Sequence, residues 1–438
     1  MKDKIIAALA SAPGIGGVSI IRVSGDGSHN LIKNFFSNKK KIKSGRFYYG
    51  NFIYNNEIID EVIVLFFNKK FSYTGEESLE INTHGSPLIV KKILDILYGT
   101  GMVVEPLPGE FTQRRFMNGK IDLVQAEAVT DLIHSESELS LKQSKEQLKG
   151  VLSEELLDIK NEITSLISTL ELELDFSEED LDFTPRSEID EKFSKLLDIL
   201  NNFISSYETG KIYNEGIKVV LSGKVNAGKS SLLNRLLKEN RAIVTDIEGT
   251  TRDIIEERIS IRGYLVRIID TAGLRKTDDI VESEGIKRSL EHIENGDIVL
   301  NIIDGSKFDP NLVKSGNNII NVLNKADLND SLECENSIKI SCKDGRGISD
   351  LKDMIIDIVE KNMIKPRSAI LTNKRHLDIV KRARQSIELA RESLTFGMNN
   401  EVIIPDIKMG LDILGELTGE TTSLDIINNI FANFCIGK

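Results

Sequence analysis

"GIKVVLSGKVNAGKSSLLNRLL", residues 216–237, decides the fold class. The apolar run at 217–222 reads as a buried strand, a glycine-bearing turn follows, and leucines at helical spacing come next. Gly223, Gly228, Lys229 and Ser230 fill G-x-x-x-x-G-K-[ST] in the order strand, loop, helix that gives this motif its meaning. The glycines let backbone N–H groups approach phosphate oxygens, and the helix N-terminus adds partial positive charge. Lys229 is expected to reach the β and γ phosphates and Ser230 to ligate Mg²⁺. Asn226, Ala227 and Ser231 complete the expected phosphate cradle.

Three stretches downstream identify the base. "VRIIDTAG" (266–273) is a strand ending in Asp270, followed by Thr271, Ala272 and Gly273, the last placed to sense the γ-phosphate. "INVLNKAD" (320–327) ends in Asn324, Lys325, Ala326 and Asp327, and "IKISCKDG" (338–345) ends in Ser341, Cys342 and Lys343. The Asp327 carboxylate suits the ring N–H and exocyclic amine of guanine. Adenine offers neither there and leaves the carboxylate unpaired. The stem of Lys325 is expected to cover the base, and the Cys342 N–H to meet its carbonyl. GTP is therefore the expected ligand and ATP is disfavoured.

Two details set this GTPase apart. The position after the D-x-x-G turn, where many relatives carry a water-orienting glutamine, is Leu274, so another group must orient water. The segment Thr245, Asp246, Ile247, Glu248, Gly249, Thr250, Thr251 is dense in oxygen and faces the loop bearing Asn226. Together they suit a monovalent cation beside the phosphates, in the place of an Arg finger. The plainer alternative is that Asn226 only stabilises its loop.

The 438 residues allow two to four domains. No apolar stretch approaches the ~20 residues of a membrane span, and "IIAALA" near the start is shorter than a signal core, so it reads as a buried first strand. Cys334, Cys342 and Cys435 form neither a disulfide framework nor a zinc pattern, and a cytoplasmic location is expected. The net charge of −12 is uneven: residues 121–210 carry 22 acids and 7 bases, a net of −15, so the remainder sums to +3. Between Lys361 and Glu392 there are nine bases and three acids, which suits either a polyanion or a solvated helix face.

Texture along the chain gives the organisation. Residues 1–118 alternate short apolar runs with Gly, Pro and Asn turns, as an α+β domain does. From Leu123 apolar residues recur at three and four spacing for about fifty residues, and "FTPRSEIDEKF" opens a further helix. Strands and helices alternate over 216–360, after which helical texture returns to the end. The expected fold is an α+β N-terminal domain (1–118), an all-α helical domain in two parts (119–210 and 365–438), and an inserted Ras-like α/β P-loop GTPase domain (211–364).

Motifs outside the nucleotide set carry a resemblance. "PGIGGVSIIRVSG" (13–25), "YTGEESLEINTHGSP" (73–87), "LPGEFTQRRFMNGKIDLVQAEAVTDLI" (107–133), "DTAGLR" (270–275) with "VESEGIKRS" (281–289), and the terminal "FCIGK" (434–438) span the chain. On these it resembles the MnmE (TrmE) family of bacterial tRNA-modification GTPases. The resemblance implies an N-terminal folate-binding domain that forms a homodimer, and a G domain that dimerises with GTP and potassium. It also implies a heterotetramer with the flavoprotein MnmG, which builds a carboxymethylaminomethyl-type group at C5 of the wobble uridine of certain tRNAs. Carried over by motif, it implies potassium ligation by Asn226, Thr245, Ile247 and Thr250, Mg²⁺ ligation by Ser230 and Thr251, and water orientation by Glu282. For a 5-formyltetrahydrofolate-type folate it implies Arg22, Glu80, Lys120 and Lys438: a carboxylate reads the pterin while cations face glutamate carboxylates. This chain departs from the family pattern at Val225, at Cys342 and in "SAPGIGG" around Ile15.

Cys435 follows "SLDIINNIFANF", whose spacing predicts a docked final helix rather than a frayed tail. A thiol beside Lys438 is then expected to serve the modification but not GTP hydrolysis; the alternative is a capping residue that happens to be cysteine. The competing functional reading is a regulatory GTPase in ribosome assembly, against which residues 1–120 and the thiol-bearing tail argue. A helical scaffold with a merely structural G domain is the third.

Overall fold

Strand β1 (Ile5–Leu9) buries Ile5 to Ala8, as expected of a core strand. The computed structural model describes residues 4–38, 43–175, 184–240, 256–270, 296–329, 337–363 and 369–438. Their contacts divide into two units. One comprises Met1–Thr130, Leu148–Ser153 and Leu411–Lys438; the other comprises Asp131–Gln147 and Glu154–Gly410.

The first unit is built on a six-stranded sheet. To β1 it adds β2 (Gly16–Ser24), β3 (Arg46–Tyr54), β4 (Glu57–Phe67), β5 (Ser78–Gly85) and β6 (Val103–Val104), in the order β3-β4-β5-β2-β1-β6. Alternation sorts its faces: Ile21, Val23, Leu79 and Ile81 are buried, while Ile20, Arg22, Glu80 and Asn82 lie on the opposite side. Helix α1 (Pro87–Gly99) covers the inner face with Val90, Ile93 and Leu97. Burying each of these contributes about 1.5–3 kcal/mol relative to exposure. On the other face Phe47, Tyr49 and Ile63 stay exposed, and the register sets Tyr49 opposite Ile63 and Ile63 opposite Asn82. Helices α2 (Glu110–Met117) and α3 (Leu123–His134) follow, and the closing helix of the chain packs Ile427 and Phe431 among Ile121, Leu123 and Ala126.

In the second unit, α4 (Glu138–Lys149), α5 (Val151–Asp175) and α6 (Arg186–Glu215) replace the continuous helical texture read from the sequence. The first break has a physical cause: the Ser137 hydroxyl accepts from the Ser140 N–H at 3.1 Å, capping α4. The second is Gly150, whose φ of +94° ends α4. After α6 comes the second sheet: β7 (Ile217–Ser222), β8 (Glu256–Ile261), β9 (Tyr264–Asp270), β10 (Ile298–Asp304), β11 (Ile319–Asn324) and β12 (Ser337–Lys339). Its order is β12-β11-β10-β7-β9-β8, parallel throughout except for the edge strand β8. Helices α7 (Lys229–Asn240) and α8 (Ile348–Asn362) belong to this module; α9 (Lys374–Thr395), α10 (Asn400–Thr418) and α11 (Leu424–Phe431) complete the chain. Asp190 of α6 accepts two bonds from Arg391 of α9, at 2.7 and 3.1 Å.

One crossover differs from the expected strand–helix alternation. Between the parallel strands β10 and β11 run only two short 3₁₀ turns, Gly305–Lys307 and Pro310–Leu312, where a helix is usual. The segment "GSKFDPNLVKSGNN" is too rich in Gly, Asn and Pro to propagate a helix. Its backbone is instead bound by side chains of the sheet: Asn301 Nδ2 donates to the Leu312 carbonyl and Asn321 Nδ2 to that of Lys314, both at 2.8 Å.

Candidate functional site

The nucleotide motifs meet at the carboxyl edge of the second sheet, where parallel α/β folds place ligands. Gly223, at φ +145°, passes so close to β10 that a Cβ would stand 2.3 Å from the Ile302 carbonyl oxygen. Gly228, at φ +103°, leaves 2.0 Å between such an atom and Asn324 Nδ2. Both glycines of the motif are thus required by backbone approach. Between them Asn226 adopts φ +65°, a left-handed conformation that Asn tolerates, and it is exposed.

Lys229 is buried at the start of α7, and its Nζ donates to the carbonyls of Gly223 (2.7 Å) and Lys224 (3.0 Å). The ammonium therefore spans its own loop, the position from which it meets phosphate oxygens. Ser230 and Ser231 are exposed on the first turn of α7, and Ala227 is buried beneath the loop.

Asn324 ties the two halves of the site together. Its Nδ2 donates to the Ala227 carbonyl at 3.0 Å and its Oδ1 accepts from the Cys342 N–H at 3.4 Å. Asp327 Oδ1 accepts from Ser341 Oγ at 3.0 Å, and the Ala326 N–H donates to the Ile340 carbonyl at 3.0 Å. Lys325 is held at φ +65° with its Nζ 2.5 Å from Asp304 Oδ2. Asp304 was not singled out in the sequence; as the acid that ends strand β10, next to "GS", it was findable. Burial pushes the Cys342 thiol up to about 11, so it stays protonated at neutral pH, and this position acts through its backbone. Lys343 is exposed beside it, and Asp270 ends β9 buried.

Thr245, Asp246, Ile247, Glu248, Gly249, Thr250, Thr251, Thr271, Ala272, Gly273, Leu274 and Glu282 lie outside the described residues.

A second cluster forms in the first unit. The register sets Arg22 of β2 directly opposite Glu80 of β5, so Arg22 Nη2 and Nε reach Glu80 Oε1 at 2.9 and 3.1 Å. Lys438 is close enough that its ammonium is pulled below its ordinary value, first by burial and then by the Arg22 cation, while Glu80 and Cys435 oppose. Arg22 and Glu80, two of the four expected folate contacts, are therefore in direct contact, and Lys438 feels the charge of both. Lys120 Nζ instead donates to the Lys70 carbonyl at 2.7 Å. Cys435 is exposed and lies four residues beyond α11, which ends at Phe431, so the thiol is not on the final helix itself. The tail is anchored all the same: Phe434 is buried, the Cys435 carbonyl accepts from Gly109 (3.4 Å) and Lys438 (3.3 Å), and Gly437 packs against Leu9. The sequence reading missed Tyr73 and Arg115. Arg22 and Arg115 lie 4.8 and 4.6 Å from the Tyr73 ring centroid, and the Tyr73 hydroxyl meets Thr112 Oγ1 at 2.9 Å.

Comparison with known proteins covers the whole chain. Residues 123–435 match the family model of the MnmE helical domain, and residues 5–120 that of the GTP-binding protein TrmE N-terminus. The tRNA modification GTPase MnmE of Natranaerobius thermophilus is 38% identical over 463 residues, covering 100% of both chains. That of Clostridioides difficile is 39% identical over 457 residues, covering 100% of this chain and 99% of the relative. Among solved structures, the G domain of the T. maritima FeoB iron transporter aligns with 33% of this chain and 98% of its own, at 22% identity and a TM-score of 0.25.

Proposed function

Because the chain belongs to the MnmE family of tRNA modification GTPases, we propose that it hydrolyses GTP to drive the modification of tRNA. The observation that carries the reading is the full-length likeness to those relatives, which includes the N-terminal and tail segments that a ribosome-assembly GTPase has no use for. We keep the functional division into a folate-binding and dimerising domain (1–118), a helical domain (119–210 and 365–438) and a G domain (211–364).

In the G domain, Lys229 and the loop from Asn226 to Ser231 bind the phosphates, and Asp327, with Ser341, Cys342 and Lys343, reads guanine. Their support is the Asn324 bridge between the two loops. Ser230 fits an Mg²⁺ ligand, being an exposed hydroxyl on the first turn of the helix that faces the phosphates, and the ion supplies neutralisation of phosphate charge there. Thr251 is its proposed companion. Asn226 fits a potassium ligand because its left-handed backbone leaves the side chain exposed beside the loop; Thr245, Ile247 and Thr250 are the others. GTP hydrolysis is expected to be much faster in potassium than in sodium, since the larger ion suits an all-oxygen nest. Asn226→Ala should erase that difference and leave GTP affinity nearly unchanged. Equal parental rates in the two salts, measured as phosphate release, would remove the cation from the account.

In the first unit, Arg22, Glu80 and Lys438 are proposed to hold a 5-formyltetrahydrofolate-type folate, with Lys120 at its edge. The fit is chemical: a carboxylate for the pterin donors and cations for the glutamate. The exposed Phe47, Tyr49 and Ile63 on the same sheet face support homodimerisation through this domain. The flavoprotein MnmG, in a heterotetramer, is the proposed partner in building the carboxymethylaminomethyl-type group at C5 of the wobble uridine. Acting on tRNA, the protein is assigned to the cytoplasm; among the described residues no helix is long and apolar enough to cross a membrane.

Cys435 is proposed to act in the modification alone. Its exposure and its closeness to Lys438 support this. In Cys435→Ser the GTPase rate should match the parent while the modified wobble nucleoside disappears from tRNA of cells carrying the variant. Normal modification would make the thiol incidental, and loss of both activities would assign it to the fold.

A further inference from the structure

Among the described residues, Arg115 stands out as a cation that no acidic side chain pairs with. It occupies one face of α2 with Phe111, four residues before it, and its guanidinium lies against the Tyr73 ring. The same ring carries Arg22, which also approaches Phe111 at 5.9 Å. Glu80 is the carboxylate of this cluster, and Arg22 occupies it through two nitrogens. Arg115, by contrast, forms no ion pair among the described residues. Among the described residues, two donors here are enclosed without an acceptor: Arg22 Nη1 and Arg115 Nε. Buried donors are almost always paired in folded proteins. Arg22 and Arg115 thus share the Tyr73 ring; Glu80 answers Arg22, and no carboxylate among the described residues pairs with Arg115. Like charges held together at reduced solvent exposure are favourable only when an anion joins them.

Resting on the folate reading above, we propose that Arg115, presented by Tyr73, is a further ligand-binding residue of that pocket and takes a glutamate carboxylate of the folate. Arg suits the task because its planar fork binds a carboxylate through two parallel bonds. Tyr73 positions both guanidinium groups, so the ligand meets a pre-set pair rather than two free side chains.

The test is calorimetric titration of the full-length protein with 5-formyltetrahydrofolate and with a matched pteroate analogue that lacks the glutamate. Arg115→Gln should weaken 5-formyltetrahydrofolate at least tenfold and leave the analogue unchanged, with Arg115→Lys recovering part of the loss. Thermal unfolding of both variants shows that each is folded before titration. If the parent binds 5-formyltetrahydrofolate and Arg115→Gln binds it as tightly, the assignment of Arg115 is wrong. Equal loss for the two ligands also overturns it, since the residue then shapes the pocket instead of reading the carboxylate. A parent that binds neither ligand overturns the folate reading itself, and the role of Arg115 with it.

Discussion

Asp327→Asn is expected to turn a guanine-nucleotide protein into a xanthine-nucleotide one. The carboxylate of Asp327 has two oxygens; Oδ1 already accepts from Ser341 Oγ, which fixes the plane of the group. That leaves lone pairs for the ring N–H and exocyclic amine of guanine, two charge-assisted bonds of about 1.5–3 kcal/mol each. Replacing one oxygen by an NH₂ sets a donor against a donor, so GTP affinity should fall by about a hundredfold or more. Xanthine carries a carbonyl where guanine has the amine and pairs with the new donor. Xanthosine triphosphate, weak on the parent, should therefore become the better ligand. Competition binding with the two triphosphates checks this, and a variant that keeps parental GTP affinity would place the base elsewhere.

Glu282→Ala should lower turnover by about two to three orders of magnitude while leaving nucleotide affinity within about twofold, the signature of an interaction made only in the transition state. The reason begins with Leu274, whose side chain has no atom able to orient water at the position where a glutamine is usual. Glu282 is the acid that the family resemblance puts in that role. Single-turnover hydrolysis at saturating GTP and potassium separates chemistry from binding. Near-parental turnover would move the role, with Arg252 and Arg275 the next residues to substitute.

The two sites were not equally readable in the sequence. The phosphate loop is a local device: strand, glycines and helix lie within 22 residues, and the glycines are dictated by approaches of 2.0 and 2.3 Å to neighbouring groups. Asn324, Asp327 and Ser341 were readable because parallel strands deliver their final residues to one edge of a sheet. The Arg22, Tyr73, Glu80, Arg115, Lys438 cluster draws on β2, the 73–80 stretch, α2 and the tail, and no local spacing links these four segments. Arg22 and Glu80 become partners only through the register of β2 and β5, and Arg115 through the packing of α2 on the Tyr73 loop. The helical stretch from Leu123 was legible as helix, but its division rests on one serine cap and one left-handed glycine. The bare crossover after β10 depends on Asn301 and Asn321, polar residues inside strands that otherwise read as continuous apolar runs.

The central claim is that GTP hydrolysis by this chain serves the chemistry of the tRNA wobble position. Nucleoside analysis of bulk tRNA by liquid chromatography and mass spectrometry tests it most directly, in a strain deleted for the gene and in the same strain complemented with it. Loss of the C5-substituted wobble uridine on deletion, with return on complementation by the parent and none by Glu282→Ala, is the predicted result. An unchanged nucleoside profile in the deletion strain, with ribosome subunits accumulating as unjoined precursors, would contradict the account and favour an assembly GTPase.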